Sequence, residues 1–414
     1  MTENVLLTNK HILIVEDNLV VSSALQNEFN YIKKNFCGTV TSDRAYTILS
    51  DTVVYLCGNI EKIYHLIHRN HLVYVIRDLS TDYDIYSTDY EVIDIGRVPI
   101  NYHNVGVYFR DYFDPELNYF DLISTEHKFQ TLTESNKASN AFRNGIYLTR
   151  VKKSNDGTEF NLLRCSTNLN GPTDNFRTTD DLIINDLNKT SKHFFRDPVE
   201  FNHVLAQTYL NKTEQSTDII GKILQKKAKI AQHSDKTKDM PVGALMAFCT
   251  FYENYHGSEF TDSKTKQIKK NNFDYCYNGI SALTKLRFRL KKEVIDQSFV
   301  NEFDVVLYPN SVFMMSLTTN RLYTHEIIPS VLPVDKMPTR LGYVVRCSKT
   351  KATFNDGHTY IDVDGKYVKL KTPTDEGIKQ IKDLYFLENT TTDMIGYGHV
   401  DFSLNTGDYV EPLI

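Results

Sequence analysis

Four residues carry the chemical signal of this 414-residue chain. His233 and Asp235 stand two apart in KIAQHSDKTKDMP, His325 follows 92 residues later in LYTHEIIP, and Arg340 comes 15 residues after that. Two histidines and one carboxylate are a ligand set for a divalent metal that leaves coordination positions open, the arrangement of oxygen-activating non-haem iron sites. Residues separated by one in a strand face the same side, so His233 and Asp235 can share a metal. An arginine adds a planar fork suited to a carboxylate, which fits a 2-oxo dicarboxylate bound to the metal at one end and to Arg340 at the other. Zinc with the same three ligands is the competing chemistry.

These residues must be held by strands. The stretch NEFDVVLYPNSVFMMSLTTNRLYTHEIIPSVLPVDKMPTRLGYVVRC reads as three or four short strands broken by turns, with His325 on the third and Arg340 and Arg346 flanking LGYVV on the strand after it. Upstream, KIAQHSD and GALMAFCTFY read as two strands, and ALTKLRFRLKKEV as a strand with one basic face. NAFRNGIYLTRVKKSNDGTEFNLLRCS predicts a hairpin turning at Asn155-Asp156-Gly157, and YIDVDGKYVKL one turning at Asp364-Gly365. NHVLAQTYL is apolar and short, ambiguous between helix and strand. TPTDEGIKQIKDLYF predicts a helix started by Thr372 with Pro373 at its first position.

The first 115 residues have a different rhythm. HILIVE, DTVVYLC and LVYVIRDL are strand-like, with helical spacing in LVVSSALQNEFNYIKK and NIEKIYHLIHRN between them. This alternation predicts a small α/β unit with parallel pairing. ILIVEDN resembles the opening of a response-regulator receiver, with Glu16 and Asp17 as the acidic pair. The next strand offers Cys57 and Gly58 where the phosphate-accepting aspartate belongs, so the unit is expected to be structural.

Composition sets the bounds. Net charge is −5, yet between residues 222 and 292 there are 15 Lys/Arg against 6 Asp/Glu, a basic stretch that brackets His233 and Asp235 and would attract an anion. Six scattered cysteines without a close pair fit reduced thiols rather than a disulfide framework. No cationic start with an apolar core opens the chain, and no run of 18 apolar residues occurs. The expectation is an intracellular protein (cytoplasm or nucleus) without a membrane segment.

From about Phe129 to Cys347 the order of these motifs resembles the iron(II)- and 2-oxoglutarate-dependent dioxygenases, most closely their AlkB-like branch. The matching residues are His233-Ser234-Asp235, His325 and Arg340-Leu-Gly-Tyr-Val-Val-Arg346. The branch's arginine strand usually reads RxNxTxR, and here Gly342 and Val344 replace the Asn and Thr. The resemblance implies an α+β fold whose catalytic part is a double-stranded β-helix, or jelly-roll barrel. It assigns iron(II) to His233, Asp235 and His325, and the far carboxylate of 2-oxoglutarate to Arg340. Arg346 would sit beside co-substrate or substrate. Tyr209 matches half of an Asn-x-Tyr pair that helps bind 2-oxoglutarate, with Gln207 in the other place. NGPTDNFRTTDD lies where a lid would stand.

The expected organisation is therefore an α/β module over 1–115, an oxygenase domain over 116–370 with a basic insertion around 254–292, and a C-terminal extension over 371–414. The expected activity couples dioxygen and 2-oxoglutarate to hydroxylation or oxidative demethylation. A nucleic-acid base, reached through the basic insertion, leads as substrate. A protein side chain or small molecule is the alternative, and a non-catalytic binding protein on the same barrel is a third reading.

Overall fold

The computed structural model describes all residues except 1–5, 44–50, 65–66, 68–70, 135–136, 166–167, 218–222, 254, 257–258, 261–268 and 364. The chain folds as an α+β, sheet-rich protein. Its N-terminal sheet is parallel, as the strand–helix rhythm predicts. Strands β1 (His11–Val15), β2 (Thr39–Ser42), β3 (Val53–Asn59), β4 (Leu72–Thr81) and β5 (Glu91–Ile93) lie in the order β2-β1-β3-β4-β5. Helix α1 spans only Gln26–Asn35. The Val-Val-Ser-Ser run before it stays out of the helix because β-branched and hydroxyl side chains favour other conformations, and Val20 is left exposed. The next predicted helix is short, α2 (Ile60–Ile63), and part of the remainder lies outside the described residues. At the end of β1, Glu16 is tied to the strand beside it. Its carboxylate accepts the Asn59 N–H at 2.9 Å, while the Asp17 N–H donates to Asp43.

Beyond β5 the strands relevant to the site follow in chain order: β6 (Ile100–Tyr102), β7 (Gly106–Phe109), β8 (Lys137–Thr149), β9 (His203–Tyr209), β10 (Ile230–His233), β11 (Leu245–Tyr252), β12 (Lys285–Leu290), β13 (Glu302–Val306), β14 (Ser311–Ser316), β15 (Tyr323–Ile328) and β16 (Arg340–Arg346). Seven of them run β8-β9-β16-β11-β14-β7-β6 in a nine-stranded sheet; Asp174–Asn175 and Gln130–Glu134 also pair with β8. β6 and β7 thus join this large sheet, although they precede residue 115. A second, four-stranded sheet has the order β10-β15-β12-β13.

Period-two alternation decides what each large-sheet strand contributes. On β16, Leu341, Tyr343 and Val345 are wholly buried on one face, while Arg340, Gly342, Val344 and Arg346 line a cavity on the other. The ambiguous NHVLAQTYL is β9, because its inward neighbours on β8 and β16 pair with it over its whole length. Both predicted hairpins form, with Ser154 opposite Gly157 and Val363 opposite Lys366; of the second turn, Asp364 lies outside the described residues.

Three further helices brace the large sheet: α3 (Tyr119–Glu126), α4 (Thr178–Phe194) and α5 (Leu317–Leu322), the last one filling the LTTNRL turn before His325. Residues 170–181 do not form a free lid. Asp174 pairs with Leu148 at the end of β8, and Thr178 to Asp181 form the first turn of α4. His127 holds the segment down, its Nδ1 2.8 Å from Asp174 and its Nε2 2.8 Å from Asp180. Tyr343 of β16 donates to the other Asp180 oxygen at 2.6 Å. Burial opposes a charge on His127, but the two carboxylates outweigh it and raise its pKa to about 9.

Helix α6 spans Asp375–Thr390 and is capped by Thr374, whose hydroxyl accepts the Gly377 N–H, not by Thr372. Starting there puts Asp375 and Glu376 in the first turn, where the helix dipole favours them. All six cysteines are free thiols. Among the described residues no helix is long and apolar enough to cross a membrane.

Candidate metal centre and its cavity

The three expected ligands meet. β10 and β15 place His233 directly opposite His325, with ring centroids 4.5 Å apart. The ladder is irregular between Ile230 and His233, a distortion of the kind that re-aims a side chain at a strand end. Asp235 lies past the end of β10, so strand alternation does not position it. Asn320 of α5 does so. Its side chain accepts the Asp235 N–H at 2.8 Å and donates to the Asp235 carbonyl at 2.9 Å, standing in for a neighbouring strand.

The donor atoms converge on one point. His233 Nδ1 is 2.8 Å from the Ala231 carbonyl, so that nitrogen carries the proton and leaves Nε2 free to ligate. His233 Nε2 lies 3.5 Å, and His325 Nε2 4.0 Å, from Asp235 Oδ1. One ligand atom from each residue falls within 4.8 Å of the others. Burial pushes His325 down to about 3, with the neighbouring His233 acting in the same direction, so its ring is neutral as a metal ligand requires. Burial works against the Asp235 carboxylate, but Arg346 and the two histidines outweigh it and hold its pKa well below the ordinary value. The set fits a divalent cation: two imidazole nitrogens, one anionic oxygen and a common focus.

Arg346 donates through Nε at 2.8 Å and Nη2 at 2.6 Å to Asp235 Oδ2. This bidentate grip leaves Oδ1 turned toward the histidines. Arg346 also lines the cavity, and its buried Nη1 has no partner. Its cross-strand neighbour His203 is fully buried and pushed by burial to about 3, so that ring is neutral.

A second support comes from the C-terminal end of α6. Asn389 accepts the Ser234 N–H at 2.6 Å, between two ligands. The Glu388 carboxylate accepts the Thr237 N–H at 3.1 Å and also the Thr237 hydroxyl, and it is fixed by the Tyr397 hydroxyl at 2.6 Å. Lys291 Nζ ties the Glu388 and Thr391 carbonyls to the end of β12. The extension is thus part of the mounting of the ligand loop.

In front of the ligands lies a cavity of about 630 Å³, walled by β9, β11 and β16 on one side and β10 and β15 on the other. Phe248 meets His325 edge-on at 5.5 Å, and Ile327, Leu307 and Val344 add apolar wall. Arg340 is 4% exposed, its guanidinium 3.8 Å from the centroid of the Tyr209 ring. Its Nε and Nη2 are buried without a hydrogen-bond partner. Gly342 makes room for this pose: a Cβ there would lie 2.8 Å from Arg340 Nη1. The Tyr209 hydroxyl points to Gln207 Oε1 at 3.4 Å. His233, Asp235, His325, Arg340, Arg346 and Tyr209 therefore share one cavity.

The basic face of β12 does not. Arg287 binds Asp304 through Nε at 2.6 Å and Nη2 at 3.1 Å; Arg289 pairs with Glu302 at 2.6 Å and with Glu326; Lys285 pairs with Asp304 at 3.3 Å. Acidic residues on β13 and β15 thus offset the alternating basic pattern. Side chains over 254–271 in the basic insertion lie outside the described residues.

Residues missed from sequence include Asn320, Glu388 and Asn389, whose roles depend on long-range contacts and carry no local motif. A second ligand-like cluster, Glu126, His127 and Asp180, was also unforeseen. Both ring nitrogens of His127 are already taken by aspartates, which makes it a buried ionic brace. Compared with known proteins, the sequence matches no family model and no curated protein.

Proposed function

We propose that the chain is an iron(II)- and 2-oxoglutarate-dependent oxygenase on a jelly-roll barrel. The observation that carries this reading is the presence, in one cavity, of a two-histidine, one-carboxylate cluster and a buried arginine without a counter-ion among the described residues. An unpaired buried cation is costly unless an anion completes it. A dicarboxylate whose keto-acid end reaches the metal while its far end meets Arg340 satisfies both features at once. The facing of two sheets across the cavity supports the barrel.

Iron(II), when bound, supplies the activation of dioxygen that oxidises the 2-oxo acid and a substrate C–H bond. The chain's own residues do the rest. His233, Asp235 and His325 would hold the metal, each offering one ligand atom. Arg346 and Asn320 fix the orientation of Asp235. Arg340, stacked on Tyr209, selects a carboxylate, and Phe248, Ile327 and Leu307 keep water from the apolar side. The test is succinate release from 2-oxoglutarate by the iron(II)-loaded full chain. Turnover in the parent with none in His233→Ala supports the reading, and equal activity in both contradicts it.

A further inference from the structure

Arg340 is not the only arginine in the cavity. Arg143 on β8 lines it too, is 8% exposed, and has no ion-pair or hydrogen-bond partner among the described residues. The register explains its place. Tyr209 on β9 is opposite Arg143 on one side and Arg340 on the other, so all three side chains rise from the same face of adjacent strands. Arg340 is drawn over the Tyr209 ring toward Gly342. Tyr209 thereby stands between Arg143 and Arg340 in the sheet, on strands two spacings, about 10 Å, apart.

Charge reinforces the point. Arg143, Arg340, Arg346, Lys229 and Lys236 line the cavity, and among the described residues Asp235 is the only carboxylate in its lining. Arg346 already holds that carboxylate. A divalent metal adds positive charge, and one dicarboxylate removes only two. Arg143 is then still uncompensated, in a cavity that Gln207 also lines with a side chain able to hydrogen-bond a polar ligand. We infer that Arg143 is the seat of an anionic group on the primary substrate, and that this substrate is a small organic anion, either a carboxylate or a phosphate ester. This inference rests on the oxygenase reading of the same cavity. The size favours a small molecule: about 630 Å³ is within the range of roughly 300–1,000 Å³ common for such sites. The outward arginines of β12, which a polynucleotide would meet, are occupied by acidic partners.

The experiment is calorimetric titration of the full chain, loaded with manganese(II) and saturated with 2-oxoglutarate. The probes are acetate, phenyl phosphate and a single-stranded tetranucleotide. At least one of the two small anions should bind the parent. Its Kd should rise about tenfold or more in Arg143→Gln, the size expected for a lost charged hydrogen bond, and recover in part in Arg143→Lys. The Kd of 2-oxoglutarate should stay within about threefold in Arg143→Gln while rising in Arg340→Gln. Small-anion binding that ignores Arg143, or no binding to the parent, overturns the inference while leaving the co-substrate site intact. So does an Arg143-dependent tetranucleotide affinity ten times that of phenyl phosphate, which would make the substrate a polynucleotide. Loss of 2-oxoglutarate binding in Arg143→Gln would make Arg143 part of the co-substrate seat. If 2-oxoglutarate binds equally well with and without Arg340, the oxygenase reading itself fails.

Discussion

Arg346 grips one oxygen of Asp235 with two nitrogens, at 2.6 and 2.8 Å, and so turns the other oxygen toward His233 and His325. The two groups are buried together, and a buried pair broken on one side costs about 3–5 kcal/mol because the survivor is left uncompensated. Arg346→Ala should therefore lower stability by that order and weaken metal binding. Arg346→Lys, which keeps the charge but not the fork, should recover part of the stability while leaving metal affinity reduced. Denaturant unfolding and cobalt(II) titration separate the two effects. A Lys variant that binds cobalt(II) like the parent would remove Arg346 from the positioning of Asp235.

The C-terminal helix offers a second test. Asn389 reaches the Ser234 N–H from 155 residues away. Asn389→Ala should lower cobalt(II) affinity about tenfold and alter its visible absorption, whereas Asn389→Asp, which keeps the acceptor, should restore both. An unchanged spectrum in Asn389→Ala would make the contact purely structural.

The His127 brace gives a pH signature. Its folded pKa, about 9, lies above the ordinary value of 6.5, so its contribution is complete below 6.5 and is lost as pH rises through about 9. Asp174 is shifted the other way: burial opposes its charge, but His127 and Arg177 outweigh it and lower its pKa, so its share is lost only in strong acid. The stability gap between parent and His127→Gln should be widest on the mildly acidic side, roughly 3 kcal/mol, and shrink from pH 6.5 to above 9. Denaturant midpoints at a series of pH values measure it. A gap that widens with rising pH would contradict the assignment.

These residues also mark what could be read without a structure. Arg340 and Arg346 were legible as flanking LGYVV on one strand, and the alternation along β16 puts both on the cavity face with Gly342 and Val344. His233 and His325 were legible as a pair because each stands in a strand-like run. Asp235 was legible only by type, since its position depends on Asn320 rather than on the pleat. Arg143 was invisible: an arginine in a long strand looks like surface decoration until its register with Tyr209 is known. The basic face of β12 was legible, but charge counted along a chain does not show which acidic strands lie beside it. The role of α6 could not be read either, since a hydrogen bond from Ser234 to Asn389 has no local signature.

In the proposed site, metal and 2-oxoglutarate share one cavity, with Arg340 at its back. Calorimetric titration of 2-oxoglutarate under anaerobic conditions tests it most directly, using the metal-free parent, the manganese(II)-loaded parent and manganese(II)-loaded Arg340→Gln. Binding should be weak without metal and become a single tight site with it, with a loss of about tenfold or more in Arg340→Gln while manganese(II) stays bound. Binding that is indifferent to both the metal and Arg340 would contradict it.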